Sequence, residues 1–135
     1  MNKPDFSGTW KFNGEKSKLE IQPPDSSTFV VVHQEPHFRL QRTLTFGEKS
    51  DTFVIDLVTD GHPVNTKLRD LEVQAHVSWE DETLVFHSDI VRGEERGINV
   101  VRYQLADGGR CIIALEKLNS AKLSYTNIWV LDKQG

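Results

Sequence analysis

Residues 71–91 read LEVQAHVSWEDETLVFHSDIV, and their alternation decides the fold class. Leu71, Val73, Ala75, Val77 and Trp79 fall on one face, and Glu72, Gln74, His76 and Ser78 on the other. A period of two is that of a β-strand with one face toward a core and one toward water. Glu80-Asp81-Glu82 then turns the chain, and Thr83 to Val91 continues with Leu84, Phe86, Ser88 and Ile90 in step. The stretch reads as a β-hairpin.

The same rhythm extends in both directions. Upstream it covers Gly8 to Asn13, Thr28 to Gln34, His37 to Phe46 and Asp51 to Thr59. Downstream it covers Ile98 to Leu105, Cys111 to Leu118 and Lys122 to Leu131. Asp60-Gly61 carries the strongest hairpin signal, because both residues tolerate the positive φ of a type I′ turn. Pro63 behind it delays the next short strand or leaves a gap beside it. Gly14 to Ser27 lacks alternation. Its Glu15 to Ile21 portion suits one short helical turn, which Pro23-Pro24 stops. The connections are too short for parallel crossovers, which need a dozen or more residues. Nine or ten strands therefore form an antiparallel up-and-down meander. Closure into an all-β barrel of about 8–10 strands removes the exposed edges.

The chain has 135 residues, which fits a single barrel domain over 1–135. Its net charge of −4 argues against a nucleic-acid partner and against docking on anionic lipid. One Cys excludes an internal disulfide, a multi-Cys zinc site and a CxxC redox motif. The longest apolar run, Cys111 to Leu115, is far short of a membrane span. The N-terminal residues Met1 to Asp5 carry no apolar segment, so the chain as given reads as cytoplasmic. It reads as periplasmic or secreted if a leader has been removed.

Phe6-Ser7-Gly8-Thr9-Trp10-Lys11 resembles the Gly-x-Trp opening of the lipocalins and intracellular fatty-acid-binding proteins, the calycin superfamily. The longer pattern is similar to bacterial lipocalin-like proteins without assigned function. It comprises Asn13, Glu15-Lys16-Ser17, Pro23-Pro24, Thr59-Asp60-Gly61, Trp79 before Thr83-Leu84-Val85, and Leu105 before Asp107-Gly108. The resemblance implies an up-and-down barrel whose closed end is plugged by Trp10, with a ligand in the lumen. Two fatty-acid-binding features have no counterpart. Gly14 to Ser27 is too short for a helix-turn-helix lid, and the last strand, Ser124-Tyr125-Thr126-Asn127, lacks an Arg-x-Tyr pair.

Candidate ligand-binding residues are polar groups on apolar faces. Arg42 lies between Leu40 and Leu44, and Arg102 shares parity with Ile98 and Val100. A charge inside a barrel must be paired or hydrated, and a guanidinium fork suits a carboxylate. The competing reading has one Arg cap the barrel end against Trp10, or a bulge turn it outward. Tyr125, Asn127 and Ser88 also interrupt apolar faces, either lining a wet lumen or satisfying one another in a packed core. Phe38, Phe53 and Phe86 supply apolar wall, and Val100 and Trp129 are expected to point inward with them.

His76 and His87 oppose each other if Asp81-Glu82 form the turn; if Glu80-Asp81 turn instead, His76 opposes Val85. No third ligand accompanies them, so they read as solvated surface histidines and not as a metal site. His33 and His37, flanking Pro36, read the same way. Cys111, beside Ile112 and Ile113, reads as an inert small hydrophobe. Glu116 is the carboxylate most embedded in apolar sequence, but an acid without a partner base is no mechanism.

The favoured reading is non-catalytic binding of a small hydrophobic or amphipathic molecule, carboxylate-bearing in one version, with no metal and no cofactor. One alternative is a filled barrel serving as a protein-interaction or structural module. Another is an enzyme built on the lumen with Glu116 or a His as acid or base, so the enzyme question stays open with a non-catalytic answer favoured. Phe or Trp left on the outer face would favour a homo-oligomer. Ten short strands and their turns use almost all of the chain, so function belongs to the lumen, its rim or the outer wall.

Overall fold

Ten strands appear in a computed structural model that describes residues 3–68 and 70–134. They are β1 (Gly8–Phe12), β2 (Ser26–Gln34), β3 (His37–Phe46), β4 (Lys49–Val58), β5 (Val64–Leu68), β6 (Leu71–Glu80), β7 (Thr83–Arg92), β8 (Glu95–Ala106), β9 (Cys111–Ser120) and β10 (Ser124–Lys133). A 3-10 turn over Asp107–Gly109 joins β8 to β9. The strands form one antiparallel sheet in the order β4-β3-β2-β1-β10-β9-β8-β7-β6-β5. Pairing of β1 with β10 joins the two ends of the meander, with Trp10 opposite Lys133. Among the described residues, no helix is long and apolar enough to cross a membrane.

The sheet wraps until β4 and β5, the two ends of the strand order, approach each other without a shared ladder. The Asp60-Gly61 turn is therefore not a hairpin, contrary to the sequence expectation. The turn itself forms, with Gly61 at φ 89°, and the Asp60 carboxylate accepts the His62 amide at 3.0 Å. Its flanks bond elsewhere. The Thr59 amide donates to Pro36 O at 2.8 Å and the Gly61 amide to Val77 O at 2.9 Å. These bonds hold the two strands to opposite edges of the slot.

One end of the barrel is closed by aromatic side chains. Trp10 is fully buried, and its indole N–H donates to Phe6 O at 2.9 Å. Phe6 packs against Trp79 at 6.1 Å between ring centroids. The cation over the Trp10 ring is Lys133, at 5.5 Å, and neither candidate arginine. His33 belongs to this plug, which corrects its reading as a surface residue. It is 7% exposed. Its Nδ1 accepts the Phe6 amide at 3.2 Å, so Nε2 carries the proton toward Glu35, 2.7 Å away. Glu35 also accepts from the Trp79 indole at 2.6 Å and the Thr59 hydroxyl at 2.9 Å.

The segment between β1 and β2 contains no helix and lies as a strap along β10. Strand β1 pairs with β10 only at Leu131–Lys133, which leaves the first half of β10 short of partners. Buried backbone groups must be satisfied. The strap does this: Lys18 bridges to Ile128, and the Ser17 hydroxyl accepts the Val130 amide at 2.8 Å. Glu20 takes the Thr126 amide at 2.6 Å.

Two-residue turns set the registers of β6–β8. Asp81-Glu82 place His76 opposite His87, with rings stacked 4.8 Å apart on the outer wall. Gly93-Glu94 pair Arg92 with Glu95 and thereby Phe86 with Val101. Val101, Tyr103 and Leu105 consequently face the core. Val100 opposes His87 on the outer wall, contrary to expectation. All three tryptophans pack into the core, and Phe46 is the exposed aromatic on the described surface.

Candidate functional site

Above the aromatic plug the lumen is hollow. A cavity of about 470 Å³ extends from Phe86 and Ala75 to Leu44, Leu71 and Ile90, and reaches the slot between β4 and β5 at Thr52, Val54, Thr66 and Lys67. Its wall is mainly aliphatic and aromatic, because the inward parity of each strand carries the apolar residues. Arg42, Ser88, Asn99, Tyr103 and Glu116 interrupt that wall.

Arg42 comes from β3, directly opposite Phe29 on β2. Its guanidinium carbon lies 5.0 Å from the Phe29 ring centre and 5.2 Å from that of Trp129. Two π-faces compensate part of the lost hydration. Its Nε is nevertheless buried without a hydrogen-bond partner among the described residues. Such a donor costs free energy until something accepts from it.

Glu116, on β9, is 8% exposed. Oε1 accepts from Asn127 Nδ2 at 3.0 Å and from the Trp129 indole at 2.9 Å. Oε2 accepts from Asn99 Nδ2 at 3.0 Å. Three neutral donors thus hold a buried carboxylate. Asn127 is fully buried, and its Oδ1 accepts the Glu20 amide of the strap at 2.7 Å. Burial pushes the Tyr103 phenol well above its ordinary range, with Arg42 opposing and Glu116 adding. Burial and Glu116 raise Tyr125 as well, against Arg42. Both phenols therefore remain protonated at neutral pH.

The structure brings Arg42, Ser88, Phe53 and Phe86 together around the cavity. Phe38 lies between cavity and plug, 5.4 Å from Phe86 and 5.2 Å from His33 between centroids. Asn127 stands behind Glu116, and Tyr125 is half-buried within reach of both lumen charges. Arg102 does not join them. It projects from the outer wall opposite Val85 and meets Glu80 at 3.4 Å, its side chain 41% exposed. Asn99 and Tyr103 escaped the sequence reading because β8 carries apolar residues at both parities. The two-residue Gly93-Glu94 turn, read against β7, was the signal that assigns them to the inside.

A larger concavity of about 880 Å³ lies on the outer wall of β5 to β9. Exposed Lys67, Glu72 and Arg96 border it, so a guest there would stay in contact with water.

No known family's sequence profile matches the chain, and no curated protein matches it in sequence. Solved structures share its fold. A secretory abundant heat soluble protein from Ramazzottius varieornatus superposes with TM-score 0.67 at 9% identity, covering 95% of this chain and 94% of that one. The Schistosoma mansoni fatty acid binding protein, in complex with arachidonic acid, gives 0.58 at 12% identity over 96% of each chain. The zebrafish ileal bile acid-binding protein, complexed with cholic acid, gives 0.62 at 12% identity over 96% and 98%. At such identities the likeness establishes a shared barrel fold.

Proposed function

We propose that this protein binds a small, largely apolar molecule in the barrel lumen, non-catalytically, with the polar end of the guest at Arg42. The observation that carries this reading is a buried, unpartnered guanidinium nitrogen on the wall of an apolar cavity of about 470 Å³. That volume lies within the usual range of small-molecule sites, which combine apolar walls with a few convergent polar groups. The fold is shared with proteins solved around arachidonic acid and cholic acid, which supports a lumen ligand. A filled barrel working through its surface would leave no such hollow.

Burying roughly 300 Å² of ligand apolar surface supplies about 7 kcal/mol before ordering costs. Apolar burial alone thus gives an affinity no tighter than the micromolar range, with Arg42 adding to it and selecting orientation through an acceptor such as a carboxylate or a carbonyl oxygen. The test is native mass spectrometry of protein purified without denaturation, joined to titration with the neutral fluorescent probe N-phenyl-1-naphthylamine. One-to-one, saturable probe binding is expected, along with displacement by amphipathic chains that weakens about tenfold in Arg42→Leu. No retained adduct together with no saturable binding would overturn the reading.

A further inference from the structure

We infer that the polar end of the ligand is a neutral group carrying both a hydrogen-bond acceptor and a donor, as a carboxamide does, and not an ionised carboxylate. The inference rests on lumen binding as proposed above, and deepens it.

Besides Arg42 Nε, a second buried polar atom of the cavity wall lacks a partner among the described residues: Asn99 Oδ1. The two have opposite needs. Arg42 can only donate, and Asn99 Oδ1 can only accept. The Asn99 amide cannot flip to change this, because its Nδ2 is committed to Glu116 Oε2 at 3.0 Å. A guest that satisfies both must accept at one atom and donate at another. Glu116 strengthens the demand for a donor. Of its carboxylate oxygens, Oε1 already takes two N–H groups, whereas Oε2 takes one and keeps room for another.

Charge points the same way. The lumen already holds its own anion beside its cation. Trp129 connects them, with its N–H on Glu116 at 2.9 Å and its ring face 5.2 Å from Arg42. The fields of both charges reach Tyr103 and Tyr125. A guest carboxylate would satisfy Arg42 but add a second anion near Glu116, in a poorly hydrated space. It would also leave Asn99 Oδ1 unmatched. A carboxamide supplies a carbonyl acceptor for the guanidinium and N–H donors for Asn99 and Glu116, and adds no charge. Discrimination by unmatched buried polar groups is steep, since the mismatch leaves a desolvated atom without a partner.

The experiment displaces N-phenyl-1-naphthylamine at neutral pH with three guests of equal chain length: dodecanamide, methyl dodecanoate and dodecanoate. Dodecanamide is expected to displace the probe at a concentration about tenfold or more below dodecanoate, with the ester, which only accepts, in between. In Glu116→Gln the preference for the amide over the acid should shrink at least about fivefold. If that variant does not fold, [15N]dodecanamide on the wild-type protein provides the second readout. Its N–H protons should exchange slowly with water and show contacts to the Asn99 and Glu116 side chains. Dodecanoate binding as tightly as dodecanamide, or amide protons in free exchange, would overturn the inference and leave lumen binding standing. Failure of the probe to bind, together with no adduct retained by the purified protein, would remove both.

Discussion

Trp129 shows how much one side chain carries in this lumen. Its ring face lies against Arg42, its N–H holds Glu116, and its edge meets Phe12, 5.3 Å away between centroids. Trp129→Phe keeps a ring over the guanidinium but removes one of the donors on a buried carboxylate. The expected cost is about 1–3 kcal/mol, read as a lower urea midpoint at unchanged slope. An unchanged midpoint would show that Glu116 is satisfied without the indole. An inward Arg42 was one of the readings the sequence offered, from its shared parity with Leu40 and Leu44, and the unbroken β2–β3 register selects it over a bulge. The partnership of Glu116 with Asn99, Asn127 and Trp129 was not legible, since those residues come from three strands and meet only through cross-strand pairing.

Among the elements, the strap depends most on tertiary context. Residues 14–20 have no periodicity of their own, yet they complete the sheet beside the first half of β10. Replacing them by a Gly-Ser linker of equal length should leave the far-UV circular dichroism of the barrel intact. The Thr126, Ile128 and Val130 amides, which bond to Glu20, Lys18 and Ser17, should then exchange with solvent at least about tenfold faster. Unaltered protection at those amides would mean that the strap bonds are dispensable. The strap also touches Asn127, which holds Glu116, so the same bonds tie the lumen polar cluster to the barrel's outer layer. The register of β8 teaches a related lesson. Ile98 and Val100 are as apolar as Val101 and Leu105, so hydrophobicity alone could not choose a face. The Gly93-Glu94 turn chose it by fixing the distance from β7.

At the scale of the whole molecule, stability should fall at both ends of the pH range for identifiable reasons. Partial burial alone would raise the Glu35 carboxyl, but hydrogen bonds from His33, Trp79 and Thr59 outweigh it and hold the group below its ordinary 4.5. As pH falls the unfolded chain takes up this proton first, so the contribution is complete above about 4.5 and fades below it. Tyr103 behaves oppositely. Its phenol is held above its ordinary 10.0 by burial, so the unfolded chain ionises first as pH rises and the fold loses stability beyond that value. Thermal midpoints measured across pH should show a flatter acid limb in Glu35→Gln and a delayed alkaline limb in Tyr103→Phe. Curves parallel to wild type would remove these assignments. The alternation of apolar and polar residues, with short turns between, determined nine or ten antiparallel strands and an inward apolar wall, because successive side chains of a strand point to opposite faces. Pro63 signalled the gap between β4 and β5. Which polar groups meet in the lumen, and that His33 is part of the plug, were decided by tertiary structure. Those features depend on the register and wrapping of strands distant in sequence, and local periodicity carries no information about either.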